Sequence, residues 1–266
     1  MSKRNSHAAK TAARERLRAE RERQAKKAKL RRQIIVACSI VGVLAAAGGV
    51  GYAIVQANKP SGWDKAAKAK VVAPANTSGK NGTTVTIGES GTDNVVHLYE
   101  DPRCPGCAAF EQSVGEAVNK GMKDGDYKLS FTIGTFLDDR LSGEGSKNAL
   151  SALGAALNVS TDAFLDYKEA LYSAEHHPEE TEDKFAEDDY LLEVADTVAA
   201  LKGNKEFQDA VKKGTYDAWA LKMSDSFQKA KDVESTPTVK INGKVIETPG
   251  TPAEFQKALK DAGVTK

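Results

Sequence analysis

The clearest chemical signal in the sequence is a pair of cysteines, Cys104 and Cys107, in the run Cys-Pro-Gly-Cys. An apolar, β-branched segment (residues 94–99, NVVHLY) precedes the pair and predicts a buried strand, and apolar residues spaced by four follow it and predict a helix. Cys104 would then lie at the N-terminal end of this helix, where unpaired N–H groups and the helix dipole stabilise a thiolate. Cys107 is placed to attack a mixed disulfide formed at Cys104. The pattern predicts a redox-active disulfide, with Cys104 as nucleophile and Cys107 as resolving thiol.

The residues around the two cysteines agree with this chemistry. Arg103 places a cation beside Cys104, Pro105 fits the first turn of a helix, and Gly106 completes the loop. A zinc site would need four ligands, and no second Cys-x-x-Cys is present, so we expect no metal. A structural disulfide closing so short a loop would contribute only about 2 kcal/mol. We expect no cofactor besides the dithiol.

The elements around the pair indicate an α/β domain with strands at both ends and helices between them. Strands are predicted over 84–87, 94–99 and 127–133, and a helix is predicted from Cys104 to about Met122. Several amphipathic stripes then predict a helical block over about 145–232, with Thr161 as the cap of one helix.

The chain predicts strands again near its C-terminus. Two short strands, over 237–241 and 244–247, flank Asn242-Gly243, which is typical of a type I′ hairpin. Thr251 and Glu254 form a capping-box pattern that opens a final helix, and Gly263 ends it.

The charge distribution divides the chain into parts. Residues 1–33 carry a net charge of +10, and the remainder carries −9. Residues 34–55 contain no charge and would span about 33 Å as a helix, enough for the hydrocarbon core of a bilayer. We interpret them as an uncleaved transmembrane signal anchor in the cytoplasmic membrane, with the basic tail inside and the rest extracytoplasmic. A cleaved signal peptide is the competing interpretation.

Residues 56–82 are rich in small and polar side chains and predict a flexible linker before a domain over 83–266. Trp63 could lie at the membrane interface or pack on the domain. The basic tail lacks interleaved aromatic residues, which favours a role at the membrane surface over nucleic-acid binding.

Two motifs together resemble a known family. Residues 99–107 (YEDPRCPGC) between a strand and a helix, with 235–239 (STPTV) before a hairpin, are similar to the DsbA-like branch of the thioredoxin superfamily. The resemblance spans 83–266 and implies a thioredoxin fold with a helical insertion. It also implies that Pro237 is cis and lies against the active-site disulfide, and that Thr236 and Pro237 bind substrate.

The family resemblance implies a function as well. Members are bacterial envelope thiol-disulfide oxidoreductases, so we expect unfolded or partly folded exported proteins as substrates and a quinone-linked membrane thiol oxidase as partner. Oxidation of substrates is the leading interpretation. A disulfide reductase or isomerase, and a non-catalytic binding or chaperone module, are the alternatives.

The sequence departs from the family pattern near the cysteines. Gly106 stands where strong oxidants carry histidine, and Leu98 stands where thioredoxin has a buried acid. Glu100 and Asp101 are candidates for proton shuttling, but a position at a solvated strand end is the favoured interpretation for both. His97 is expected in the core or at its edge.

Overall fold

A computed structural model describes residues 62–89 and 91–264. The predicted basic tail, the membrane span and the first residues of the linker lie outside these residues. Within the described part of the chain, no helix is long and apolar enough to span a bilayer.

A five-stranded mixed sheet forms the centre of the domain, with strand order β1-β3-β2-β4-β5. Strands β2 and β3 are parallel, and the other neighbouring strands are antiparallel. The strands are β1 (Val85–Ile87), β2 (Val95–Glu100), β3 (Lys128–Ile133), β4 (Thr238–Ile241) and β5 (Lys244–Ile246). The central strand β2 ends next to the cysteine pair, so the sheet fixes the position of the predicted site.

The active-site helix directly follows β2 and has three parts. It consists of α2 (Pro105–Phe110), a π-helical turn (Glu111–Gly115) and α3 (Glu116–Lys123). The sequence predicts one uninterrupted α-helix here, and the π-helical turn is an addition that the spacing of apolar residues does not reveal. The C-terminal helix α10 (Pro252–Asp261) packs against α3 and the π-helical turn.

The helical block lies between β3 and β4, and it begins at residue 136, before the predicted start near residue 145. Its helices are α4 (Phe136–Leu141), α5 (Gly145–Val159), α6 (Thr161–Tyr172), α7 (Asp188–Ala195), α8 (Lys205–Lys212) and α9 (Asp217–Gln228). Short helical pieces also occur at α1 (Gly62–Ala66) and at the 3₁₀ turns Lys80–Gly82 and Lys184–Ala186. The cap of α6 differs from the prediction, because the Ser160 side chain, and not Thr161, accepts the N–H of Ala163.

The C-terminal predictions are confirmed. Asn242 and Gly243 have φ values of 50° and 81°, as a type I′ turn between β4 and β5 requires. Thr251 and Glu254 form the complete capping box of α10. Gly263, at φ 74°, follows the helix end.

The described part of the predicted linker lies against the domain. The N–H of Ala75 donates to the side chain of Asn158, and the side-chain amide of Asn76 donates to the carbonyl of Leu157. The buried Trp219 indole donates to the carbonyl of Gly82 at 2.8 Å. These long-range contacts distinguish residues 62–82 from a flexible spacer, and small polar side chains alone did not predict them.

Trp63 packs on the domain, which is one of the two positions that the sequence leaves open. Its side chain is half-buried, and the Lys147 ammonium lies 5.8 Å from the centre of its ring. A cation over an indole face is a favourable contact.

Candidate active site

Cys104 lies at the N-cap of α2, where the sequence predicts it. Its backbone is extended, with φ −75° and ψ 117°, and Pro105 is the first residue of the helix. The N–H of Cys104 donates to the carbonyl of Asp101, and the carbonyl of Cys104 accepts the N–H of Ala108. The strand end and the helix start therefore fix the backbone of the nucleophile.

The two cysteines are thiols in different environments. Cys104 is 8% exposed and Cys107 is fully buried. A hydrogen bond from the Cys107 thiol is the largest influence on Cys104 and lowers its pKa to about 6 against the opposing effect of burial, with help from the Thr236 side chain and from backbone N–H groups. Burial raises the pKa of Cys107 well above its ordinary value, and the Cys104 sulfur and the Glu100 carboxylate add to this effect. At neutral pH the pair therefore holds one thiolate, at Cys104.

The loop before β4 lies directly against Cys104. The Thr236–Pro237 peptide bond is cis, as the resemblance implies. The neutral Cys104 thiol donates to the Thr236 carbonyl at 3.5 Å. Gly106 lies at the same contact, since a Cβ there would be 3.3 Å from Pro237 Cδ and 3.6 Å from the Cys104 sulfur. The structure thus brings the two sequence motifs together.

Arg103 has a different environment from the predicted one. Its guanidinium is buried and pairs with Asp138 at 3.1 Å and with Asp183 at 3.0 Å. It also donates to the carbonyl of Glu180. The sequence places the Arg103 cation beside Cys104, but in the structure the carboxylates of Asp138 and Asp183 compensate its positive charge.

The expectation that Asp101 lies at a solvated strand end is wrong. Asp101 is fully buried, and its carboxylate accepts the N–H groups of Arg103 and Leu137 and the hydroxyl of Ser146. Burial raises the pKa of Asp101 to about 6, although these hydrogen bonds oppose the shift. The residue ties the end of β2 to α4 and α5.

The same expectation is wrong for Glu100, which is also fully buried. Its carboxylate lies 3.2 Å from the Lys168 ammonium, which in turn lies 2.6 Å from Glu111. Burial raises the pKa of Glu100 to about 7, Lys168 opposes the shift and Glu111 adds to it. Burial tends to lower the pKa of Lys168, but the two carboxylates outweigh it and raise that pKa.

The sequence indicates Glu100 as a candidate proton-shuttling group, but that prediction does not extend to the buried acid–base cluster in which Lys168 and Glu111 join Glu100. Lys168 and Glu111 come from α6 and from the π-helical turn, and they meet Glu100 at the end of β2. The sequence does contain an indication of this cluster, because Lys168 and Glu111 each lie on the apolar stripe of a helix. Lys168 follows Phe164 by four positions, and Glu111 precedes Val114 by three. A charge on a buried stripe indicates a partner charge.

Apolar side chains surround the cysteines. Ala108, Leu137 and Tyr172 pack with them, and Phe136 packs at the edge of this group. His97, half-buried in β2, forms a hydrogen bond with the hydroxyl of Thr132 and stacks on the Tyr99 ring, as expected of a residue at the edge of the core. Within residues 62–89 and 91–264, no three His, Cys, Asp or Glu side chains are grouped as metal ligands.

A family model described as Thioredoxin matches residues 80–261. The chain belongs to this thioredoxin family. Among solved structures, reduced DsbA from Mycobacterium tuberculosis is 27% identical with a TM-score of 0.56, and the match covers 68% of this chain and 93% of that one. The reduced disulfide bond oxidoreductase DsbG of the same organism is 28% identical with a TM-score of 0.56, covering 68% and 86%.

Another solved structure is similar to this chain in fold alone. The thiol-disulfide oxidoreductase MdbA from Actinomyces oris is 22% identical with a TM-score of 0.57, and the match covers 71% of this chain and 88% of that one. No curated protein matches the chain. The predicted identity as a DsbA-like member of the thioredoxin superfamily is confirmed, and so is the enzyme class of protein thiol-disulfide oxidoreductase.

Proposed function

We propose that this DsbA-like protein oxidises exported polypeptides outside the cytoplasmic membrane through the Cys104–Cys107 disulfide. The observation that carries the proposal is the contrast between the two thiols. The pKa of Cys104 is lowered to about 6, and that of the buried Cys107 is raised. A stabilised Cys104 thiolate favours the reduced enzyme, and therefore makes the enzyme disulfide a stronger oxidant.

The reaction transfers two electrons from substrate to enzyme. A substrate thiolate attacks Cys104 Sγ, the Cys104–Cys107 bond breaks, and Cys107 leaves as a thiolate that takes up a proton. A second substrate thiolate then attacks the substrate sulfur of the mixed disulfide. The substrate disulfide forms and Cys104 leaves as a thiolate, a step that its low pKa accelerates. The enzyme ends as a dithiol, and a membrane thiol oxidase of the quinone-linked kind would reoxidise it.

Glu100 is suited to exchange the proton of Cys107. Its buried carboxyl raises the pKa of Cys107, so the two groups interact directly through charge. The pKa of Glu100, at about 7, allows it to hold or release a proton at neutral pH. Its Oε2 atom makes no hydrogen bond to any described residue, which leaves it available for this exchange.

The Thr236–Pro237 loop is suited to hold an extended substrate segment. Proline has no N–H, and the Thr236 carbonyl already faces Cys104 at 3.5 Å. When Cys104 is in a disulfide, this carbonyl can accept a backbone N–H of the substrate instead. Such main-chain pairing would recognise unfolded chains with little dependence on their sequence.

We propose the cellular arrangement from the charge pattern. Residues 1–33 would form the cytoplasmic tail and 34–55 the membrane anchor, and the domain over 83–266 would face outward after the segment 56–82. The loop residues Arg103, Pro105 and Gly106 would serve the dithiol as structural neighbours.

Variants of the two cysteines test the function. In an assay of disulfide formation in a reduced polypeptide, Cys104→Ser should abolish turnover. Cys107→Ser should also stop turnover. When it is given a polypeptide that carries a disulfide, its Cys104 thiolate should attack that disulfide, release one substrate thiol and accumulate as an unresolved mixed disulfide, visible as a mass increase on a non-reducing gel. A Cys104→Ser protein that retains full activity would refute the proposal.

A further inference from the structure

Arg103 connects the loop that carries the nucleophile to the helical block. Nη1 of its guanidinium lies 3.1 Å from Asp138 and 3.0 Å from Asp183, and Nη2 donates to the carbonyl of Glu180 at 3.2 Å. The residue is 2% exposed, and Nε has no hydrogen-bond partner among the described residues. Burying a cation costs free energy. Two of the three guanidinium nitrogens of Arg103 bind residues that are distant in sequence.

The two carboxylates are themselves held in place by backbone groups. Asp138 accepts the N–H groups of Ser146 and Lys147 in the first turn of α5. Asp183 accepts the N–H groups of Glu144 and Gly145. The guanidinium is therefore bound to two carboxylates that backbone N–H groups at the start of α5 hold in place.

The chain between α4 and α5 is fitted closely around this contact. A Cβ at Gly143 would lie 2.3 Å from Nη1 of Arg103, and a Cβ at Gly145 would lie 2.5 Å from Oδ1 of Asp183. Real Cβ contacts do not come this close, so the guanidinium occupies space that only glycine leaves open.

The rest of the loop is held to the helical block as well. The His177 ring lies 3.1 Å from the carbonyl of Pro102, and the Asp101 carboxylate accepts the N–H of Leu137 and the hydroxyl of Ser146. Each of the three residues before Cys104 thus contacts a segment of the helical block. Because the loop is held in this way, the orientation of Cys104 depends on these contacts with the helical block.

We propose that Arg103 is a positioning residue, whose ion pairs with Asp138 and Asp183 clamp the Cys104 loop to the helical block and hold the dithiol in its reactive geometry. The inference rests on the proposed function, and it gives the helical block a role in positioning the dithiol. The groups that stabilise the Cys104 thiolate act only at hydrogen-bond range, namely the Cys107 thiol, the Thr236 side chain and the N–H groups of Gly106 and Cys107. A small displacement of the loop weakens all of them together.

The test titrates the Cys104 thiolate by its absorbance near 240 nm in the reduced full-length protein. Arg103→Gln should raise the midpoint by about one pH unit, a tenfold loss of the thiolate-to-thiol ratio at pH 6. Arg103→Lys should show a smaller rise, because an ammonium keeps the charge but cannot bridge both carboxylates. A purely structural role would lower the melting temperature without moving this midpoint.

Gly143→Ala provides a second variant that keeps every charge and should raise the midpoint in the same direction. Gly91→Ala is its matched control, because a Cβ at Gly91 meets nothing within 4 Å. If Arg103→Gln does not fold, Asp183→Asn and Gly143→Ala decide the question.

The proposal is overturned if the folded Arg103 and Gly143 variants titrate like the wild type. That result would leave the proposed function intact, provided that Cys104→Ser is inactive. Full activity of Cys104→Ser would instead overturn the proposed function, whatever the Arg103 variants do.

Discussion

The thiol of Cys104 and the carbonyl oxygen of Thr236 lie 3.5 Å apart, although 132 positions separate the two residues in sequence. This contact joins the end of β2 to the cis-proline loop before β4, and it brings the nucleophile to the backbone that would bind substrate. The carbonyl accepts a hydrogen bond from the neutral thiol, whereas the Thr236 side chain favours the thiolate. Thr236 can therefore contact Cys104 in both protonation states.

The first prediction concerns the ionisation of the two thiols. Alkylation of Cys104 in the reduced enzyme by iodoacetamide should rise with pH to a plateau, with a midpoint near pH 6, because the thiolate is the species that reacts. Cys107 should remain unmodified at pH 8, since burial raises its pKa. Mass spectrometry of the digested protein reads both sites. A midpoint near 9, the ordinary value, would contradict the account of Cys104.

The second prediction concerns Glu100. Glu100→Gln should slow the attack of Cys107 on a Cys104 mixed disulfide by about a hundredfold, because the glutamine cannot accept the Cys107 proton. In the wild type this rate should rise as the pH passes through about 7, where Glu100 ionises, and the variant should lose that rise. Stopped-flow release of the small thiol from a preformed mixed disulfide measures the step.

Glu111→Gln is the control for this effect. It removes a carboxylate from the same Lys168 ammonium but leaves Glu100 in place. Equal slowing in both variants would assign the effect to the ion pair in general and would contradict a specific role for Glu100.

The third prediction concerns the stability contributed by Lys168. Lys168→Met should destabilise the domain by about 3–5 kcal/mol at pH 8, because it leaves two buried carboxylates without a cation. The loss should be smaller at pH 5. The pKa of Glu100 is already raised, so a lower pH protonates the stranded carboxyl and removes its charge. Urea unfolding at the two pH values measures this.

An exposed ion pair is the matched control for Lys168. Lys120 lies 2.5 Å from Asp124 on the surface at the end of α3, and Lys120→Met should leave the urea unfolding midpoint almost unchanged. A similar small effect of Lys168→Met would show that the buried cluster does not need its cation.

Local sequence patterns predicted the frame of this site. The Cys-Pro-Gly-Cys run after an apolar strand placed Cys104 at a helix start, and Asn242-Gly243 placed the hairpin that follows Pro237. Each of these features depends on residues within a few positions of one another. Helix capping and turn chemistry are local, so they can be derived from one stretch of chain.

The electrostatic environment was not predictable in the same way. Glu100 and Asp101 look like solvated residues at a strand end, but both are buried, and they bond to residues of α4, α5 and α6. Arg103 looked like a partner of its neighbour Cys104, but it pairs with Asp138 and Asp183. Which charges meet is decided by the packing of distant segments, and that packing is absent from a local pattern.

The reduction potential of the Cys104–Cys107 pair tests the central proposal of substrate oxidation most directly. Equilibration with glutathione buffers, followed by quantification of the oxidised fraction, gives the value. Substrate oxidation predicts a potential well above that of thioredoxin, toward the about −120 mV of strong oxidants. A value near about −270 mV, typical of thioredoxin, would contradict this account and favour a reductase.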